Sequence, residues 1–77
     1  MEGLGFGDFG VVKIFINDEA RTVERAANVA ELIAELGLPA PATLVEHNGL
    51  ALRREEWPAR SLGEGDRIEL VRIVAGG

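Results

Sequence analysis

Apolar and polar residues alternate along Val12-Lys13-Ile14-Phe15-Ile16, with Val12, Ile14 and Ile16 on one face and Lys13 and Phe15 on the other. A period of two predicts a half-buried strand. Asn17-Asp18-Glu19 reads as a turn, and Ala20 to Glu24 as a returning strand that completes an antiparallel hairpin. The period then changes. Val29, Leu32, Ile33 and Leu36 fall at i, i+3, i+4 and i+7, one stripe of a helix running from Asn28 to Leu36. Asn28 suits the N-cap, and Glu31 three residues on makes a pair of capping-box type. Gly37 stands where a helix stops, and Pro39 and Pro41 block continuation.

Beyond the helix, Thr43 to His47 predicts a third strand, Asn48-Gly49 a tight turn, and Leu50 to Leu52 a short fourth strand. Arg53 to Trp57 is polar around one large anchor and reads as a single helical turn or irregular loop ended by Pro58. Gly63-Glu64-Gly65-Asp66 is a further turn, and Arg67 to Val74 is the last strand. The order β-β-α-β-β-β predicts an α+β fold of two layers, one main helix covering one face of a mixed sheet of about five strands. The two hairpins pair antiparallel, with the first and last strands parallel at the centre. Residues 1–10, with four glycines and no periodicity, read as a flexible N-terminal extension. Residues 11–74 are then the folded domain, and 75–77 a flexible C-terminal tail.

At 77 residues the chain holds one domain at most. A net charge of −5 argues against a nucleic-acid partner, because phosphate binding needs a basic face. There is no cysteine, hence no thiolate nucleophile or disulfide, and one histidine cannot build a metal site alone. No apolar run reaches the length of a membrane span and no signal-like segment opens the chain, so a cytoplasmic protein with no membrane partner is expected. What chemistry remains is at the end of the sequence, Val74-Ala75-Gly76-Gly77. Glycines without side chains can thread a slot too narrow for other residues, leaving the terminal carboxylate as the reactive group.

Four stretches resemble the ThiS family, the sulfur carriers of the thiamine pathway. Asn28-Val29-Ala30-Glu31-Leu32-Ile33-Ala34-Glu35-Leu36-Gly37-Leu38 is similar to the family's helix. Val45-Glu46-His47-Asn48-Gly49, followed by Arg54-Glu55-Glu56-Trp57, is similar to its central stretch. Leu62 to Leu70 is similar to its Gly-Asp turn and final strand, and Val74-Ala75-Gly76-Gly77 to its end. The resemblance spans about Val12 to Gly77, and the Arg54-x-Glu56-Trp57 segment together with the tail is its specific part. Arg53 departs from the pattern where proline is common, His47 where an apolar residue is usual, and residues 1–10 have no counterpart.

The resemblance implies a ubiquitin-like β-grasp fold and a protein that is a cosubstrate, with no catalytic residue and no bound cofactor or metal. It implies that an activating enzyme of the ubiquitin-activating type adenylates the Gly77 carboxylate with ATP. Sulfur from a persulfide donor then displaces AMP, and the resulting thiocarboxylate delivers sulfur to thiazole synthase for the thiazole ring of thiamine. Ala75 and Gly76 would thread the partner's active site. A monomer that forms transient hetero-complexes is expected, since a carrier leaves one enzyme to reach the next.

Alternation along the last strand places Ile68 and Leu70 toward the helix, and Glu69, Val71 and Ile73 away from it. Phe15 on the first strand faces away as well. Phe15, Val71 and Ile73 are therefore the expected partner-docking residues, unless they are scattered exposed apolar side chains or are covered by the N-terminal extension. His47 is read as a partly buried strand residue with one satisfied hydrogen bond, Trp57 as a lid on the core, and Arg53-Arg54 as a solvated face within reach of Glu55 and Glu56. Two readings share the fold and the diglycine end: the small subunit of molybdopterin synthase, and a ubiquitin-like modifier conjugated through Gly77. A third is a binding module with an inert tail.

Overall fold

The computed structural model describes residues 11–74. The expected extension, 1–10, and the expected tail, with Ala75, Gly76 and Gly77, lie outside the described residues. Strands β1 (Val12–Ile16) and β2 (Glu19–Val23) form the first hairpin, followed by helix α1 (Val29–Leu36), β3 (Thr43–His47), β4 (Leu50–Leu52) and β5 (Arg67–Arg72). Short 3-10 helices occupy Ala40–Ala42 and Arg54–Ala59. The sheet order is β2-β1-β5-β3-β4, with β1 and β5 parallel and the other pairs antiparallel. This is the mixed five-stranded sheet with one main helix expected of a β-grasp domain.

Both hairpin turns follow from residues that accept positive φ. Asn17 (50°) and Asp18 (71°) form a two-residue turn, the geometry whose twist matches that of the flanking strands. Because this turn is tight, Glu19 already pairs with Ile16, and β2 runs one residue earlier than alternation alone predicts. Asn48 (52°) and Gly49 (87°) repeat the device between β3 and β4.

The helix begins as its caps dictate. Asn28 accepts from the Glu31 N–H at 2.9 Å. The Glu31 carboxylate reaches back one residue further than the usual box, to the Ala27 N–H at 2.7 Å. Gly37 ends the helix at φ 73°, its N–H donating to the Ala34 carbonyl at 3.0 Å. Val29, Leu32 and Ile33 of the apolar stripe are buried and Leu36 is half-buried. They pack with Ile14, Val23, Val45 and Ile68 in a single core.

The 3-10 helix over Arg54–Ala59 runs through Pro58 where the sequence suggested a stop. The fixed φ of proline suits a helical turn, and Pro58 falls in the second and last turn of this short helix. Trp57, on this turn, is buried at 3% exposure and closes the core beside α1. Strand β5 ends at Arg72, two residues before the expected Val74, although the Ile73 N–H still donates to the Ala42 carbonyl at 2.6 Å. No described helix is long and apolar enough to cross a membrane.

Candidate functional site

The strand that leads to the tail lies in the middle of the sheet, and its two faces differ sharply. Ile68 is fully buried and Leu70 half-buried against the helix layer. Val71 and Ile73 are 57% and 48% exposed on the opposite face, which no described element covers, and Val74 is 81% exposed. The alternation read for this strand therefore holds.

The residues expected to dock a partner do not all come together. Phe15 is on the same face as Val71, but its parallel neighbour on β5 is Arg67. Val71 is four residues further along, about 13 Å at the rise of a strand. Phe15 is half-buried, with the Arg67 guanidinium 5.9 Å from its ring centroid. The place beside Val71 belongs to Leu44, its cross-strand partner from β3, which is 54% exposed. Sequence reasoning missed Leu44. The alternation of β3, with Thr43, Val45 and His47 inward, carried the signal that Leu44 faces out, but only the pairing register brings it to Val71.

The root of the tail strand is held on its other side by one side chain. The Asn17 amide donates to the Leu70 carbonyl at 3.2 Å and accepts from the Leu70 N–H at 2.8 Å. Strand β1 has ended at Ile16, and the Asn17 side chain supplies the next rung of the ladder in its place.

His47 is buried, at 5% exposure, with both ring nitrogens engaged. Nε2 lies 2.8 Å from Asp66 Oδ2, and Nδ1 lies 3.0 Å from Arg60 Nη2 and 3.2 Å from Nε. A guanidinium can only donate, so Nδ1 accepts and Nε2–H donates to Asp66, which is the neutral imidazole. With no ring nitrogen left over, His47 has no means of acting as a base on a substrate. It ties β3 to the segment after Trp57 and to the turn before β5. Asp66 also accepts from Asn48 Nδ2 at 3.1 Å and from the Gly63 N–H at 2.7 Å. Burial raises the Asp66 pKa, but the hydrogen bonds from His47, Asn48 and Gly63 outweigh it and hold the carboxyl below its ordinary value.

Arg53 reaches Glu55 Oε2 at 3.7 Å and Glu56 Oε2 at 3.9 Å; Arg53 and Glu55 are exposed and Glu56 half-buried, and such solvated pairs contribute little. Among the described residues no three His, Asp or Glu side chains cluster as a metal site would require. The described surface thus presents exposed Leu44, Val71 and Ile73 along the strand that leads to the tail.

The ThiS family model matches residues 9–77. The Sulfur carrier protein ThiS of Escherichia coli strain K12 is 29% identical over 66 residues, covering 86% of this chain and all of that protein. A Thiazole synthase of Paramagnetospirillum magneticum is also 29% identical over 66 residues, and there the matched chain spans only 20% of the relative's length. Among solved structures, the crystal structure of the thiamine biosynthesis protein ThiS from Geobacter metallireducens superposes with a TM-score of 0.74 at 33% identity, covering 86% of this chain and all of that one. The solution structure of a thiamine biosynthesis protein from the same organism gives 0.72 at 33% identity, over 86% of this chain and 88% of that one. With the family model spanning the whole of the described domain and a β-grasp relative superposing over most of it, the chain belongs to the ThiS family.

Proposed function

We propose that this chain is a sulfur carrier of thiamine biosynthesis that acts as a cosubstrate and catalyses nothing itself. The observation that carries the reading is the family match over residues 9–77, which takes in Ala75-Gly76-Gly77 as well as the folded domain. A carboxylate is a poor electrophile, so the Gly77 carboxylate first displaces pyrophosphate from ATP in the active site of an adenylating enzyme. Hydrosulfide attack on the acyl adenylate expels AMP and gives the thiocarboxylate directly. Attack by a persulfide gives an acyl disulfide, which a second thiol cleaves to the same product. The thiocarboxylate sulfur is then the nucleophile delivered to thiazole synthase.

Three features support this assignment of roles. The folded body offers no unoccupied imidazole among its described residues. The strand β5 runs from the sheet centre straight toward the tail, with Leu44, Val71 and Ile73 exposed beside it as a docking face. The matching Thiazole synthase carries a segment similar to this chain within its own length, which favours that enzyme class as the acceptor.

The test is intact-mass analysis of the protein purified from its own cells, together with growth of a deletion strain. The expected results are an oxygen-to-sulfur exchange confined to the C-terminal peptide, and growth that depends on added thiazole or thiamine. Isopeptide-linked conjugates of Gly77 with no thiocarboxylate, or full growth of the deletion strain without supplement, would overturn the reading.

A further inference from the structure

On the sheet face opposite the helix, which no described element covers, Glu46 and Glu69 stand directly opposite each other across β3 and β5. Both are exposed, and the next outward pair in the same two strands is Leu44 and Val71. Like charges in cross-strand register repel. Among the described residues no cation relieves this repulsion. The partner of Glu46 on β4 is Ala51. Arg67, two residues before Glu69 on the same face, is turned away: its guanidinium donates to Asp18 Oδ1 at 2.9 Å and lies over the Phe15 ring. Among the described residues no cationic side chain comes within 4.0 Å of either carboxylate. The surface here is an open depression lined by Leu44, Glu46, Ala51, Glu69 and Val71, and also by Arg67, whose guanidinium is engaged by Asp18.

We propose that this face docks a protein surface presenting an arginine or lysine beside an apolar side chain. The cation seats between Glu46 and Glu69 while the apolar group covers Leu44 and Val71. The inference rests on the carrier reading, because the partner meant is the adenylating enzyme that activates the tail following β5. A partner cation between the two carboxylates offsets their repulsion, so a pair that is unfavourable in the isolated fold favours association. A partner with the apolar group but a neutral or acidic neighbour leaves the repulsion in place and is discriminated against.

The test is the affinity of the purified full chain for the adenylating enzyme of the same genome, at low and at raised salt. The chains compared are wild type, Glu46→Gln, Glu69→Gln, the double variant, and Glu35→Gln on the helix as control. The expected result is a loss of about tenfold or more in the double variant and a flattened salt dependence, with Glu35→Gln unchanged. Thermal melting keeps the result interpretable: relief of the repulsion leaves the melting temperature equal or raised while binding falls. A double variant that binds within about twofold of wild type, with the same salt dependence, overturns the proposal and leaves the carrier reading standing. A wild-type chain that the enzyme neither binds nor adenylates overturns both.

Discussion

Asn17 holds Leu70 by both of its backbone groups, the side-chain amide donating to the carbonyl at 3.2 Å and accepting from the N–H at 2.8 Å. The contact lies where β1 stops and β5 continues alone on that side, so it sets how firmly the tail strand is anchored. Asn17→Gly keeps a residue that tolerates the positive φ of 50° and removes only the amide. The expected cost is about 1–2 kcal/mol from two lost hydrogen bonds, with faster amide exchange at Leu70 than at Ile14. Chemical denaturation and hydrogen exchange by NMR measure the two effects. Unchanged exchange at Leu70 would show that the anchor lies elsewhere.

Acid stability should depend on Asp66. Against the burial that raises it, hydrogen bonds from His47, Asn48 and Gly63 hold its folded pKa below the ordinary aspartate value, so over the interval between the two the unfolded chain binds more protons than the folded one. Stability from this group is therefore complete above the unfolded value and is lost as pH falls through the folded one. Asp66→Asn is expected to flatten that acid limb of the melting-temperature profile. At neutral pH it should cost about 1–3 kcal/mol, because the hydrogen bonds from His47, Asn48 and Gly63 lose their charged acceptor. An acid limb as steep in the variant as in wild type would assign it to another carboxylate.

The Leu44–Val71 pair should matter to association and little to folding. Both side chains are more than half exposed, at 54% and 57%, so Leu44→Ser and Val71→Ser are expected to shift stability by no more than about 0.5 kcal/mol. Each should weaken binding to the adenylating enzyme by roughly tenfold, as truncation at an interface anchor does. Phe15→Ser should weaken it less, since Phe15 stands about 13 Å away along the strand direction. Titration calorimetry on the three variants gives the ranking, and an equal loss for Phe15→Ser would place the interface centre at the other end of β5.

Gly76→Ala tests the narrow-slot reading of the tail. A methyl group added in the slot should lower ATP–pyrophosphate exchange by the adenylating enzyme by at least about tenfold, since small misplacements at a reacting centre are costly. Melting temperature is expected to stay at the wild-type value. Unimpaired exchange would show that the slot accommodates a side chain there.

Much of this protein is written locally. The hairpin turn at Asn17-Asp18, the Asn28 and Gly37 caps, and the alternation that exposes Val71 and Ile73 are each decided by a few neighbouring residues, because φ/ψ preference, capping and side-chain periodicity act over one or two turns of chain. The resemblance in the helix, the Arg54-to-Trp57 segment and the tail sufficed to point to the ThiS family, to which the chain belongs. Only the tertiary structure decided who meets whom between distant segments. Cross-strand register sets Leu44, and not Phe15, beside Val71. It sets Glu46 against Glu69, and it brings Arg60 and Asp66 onto the two nitrogens of His47, where one hydrogen bond had been expected. Such contacts depend on how strands far apart in sequence slide against one another, a choice made by the whole core at once. No local pattern contains it.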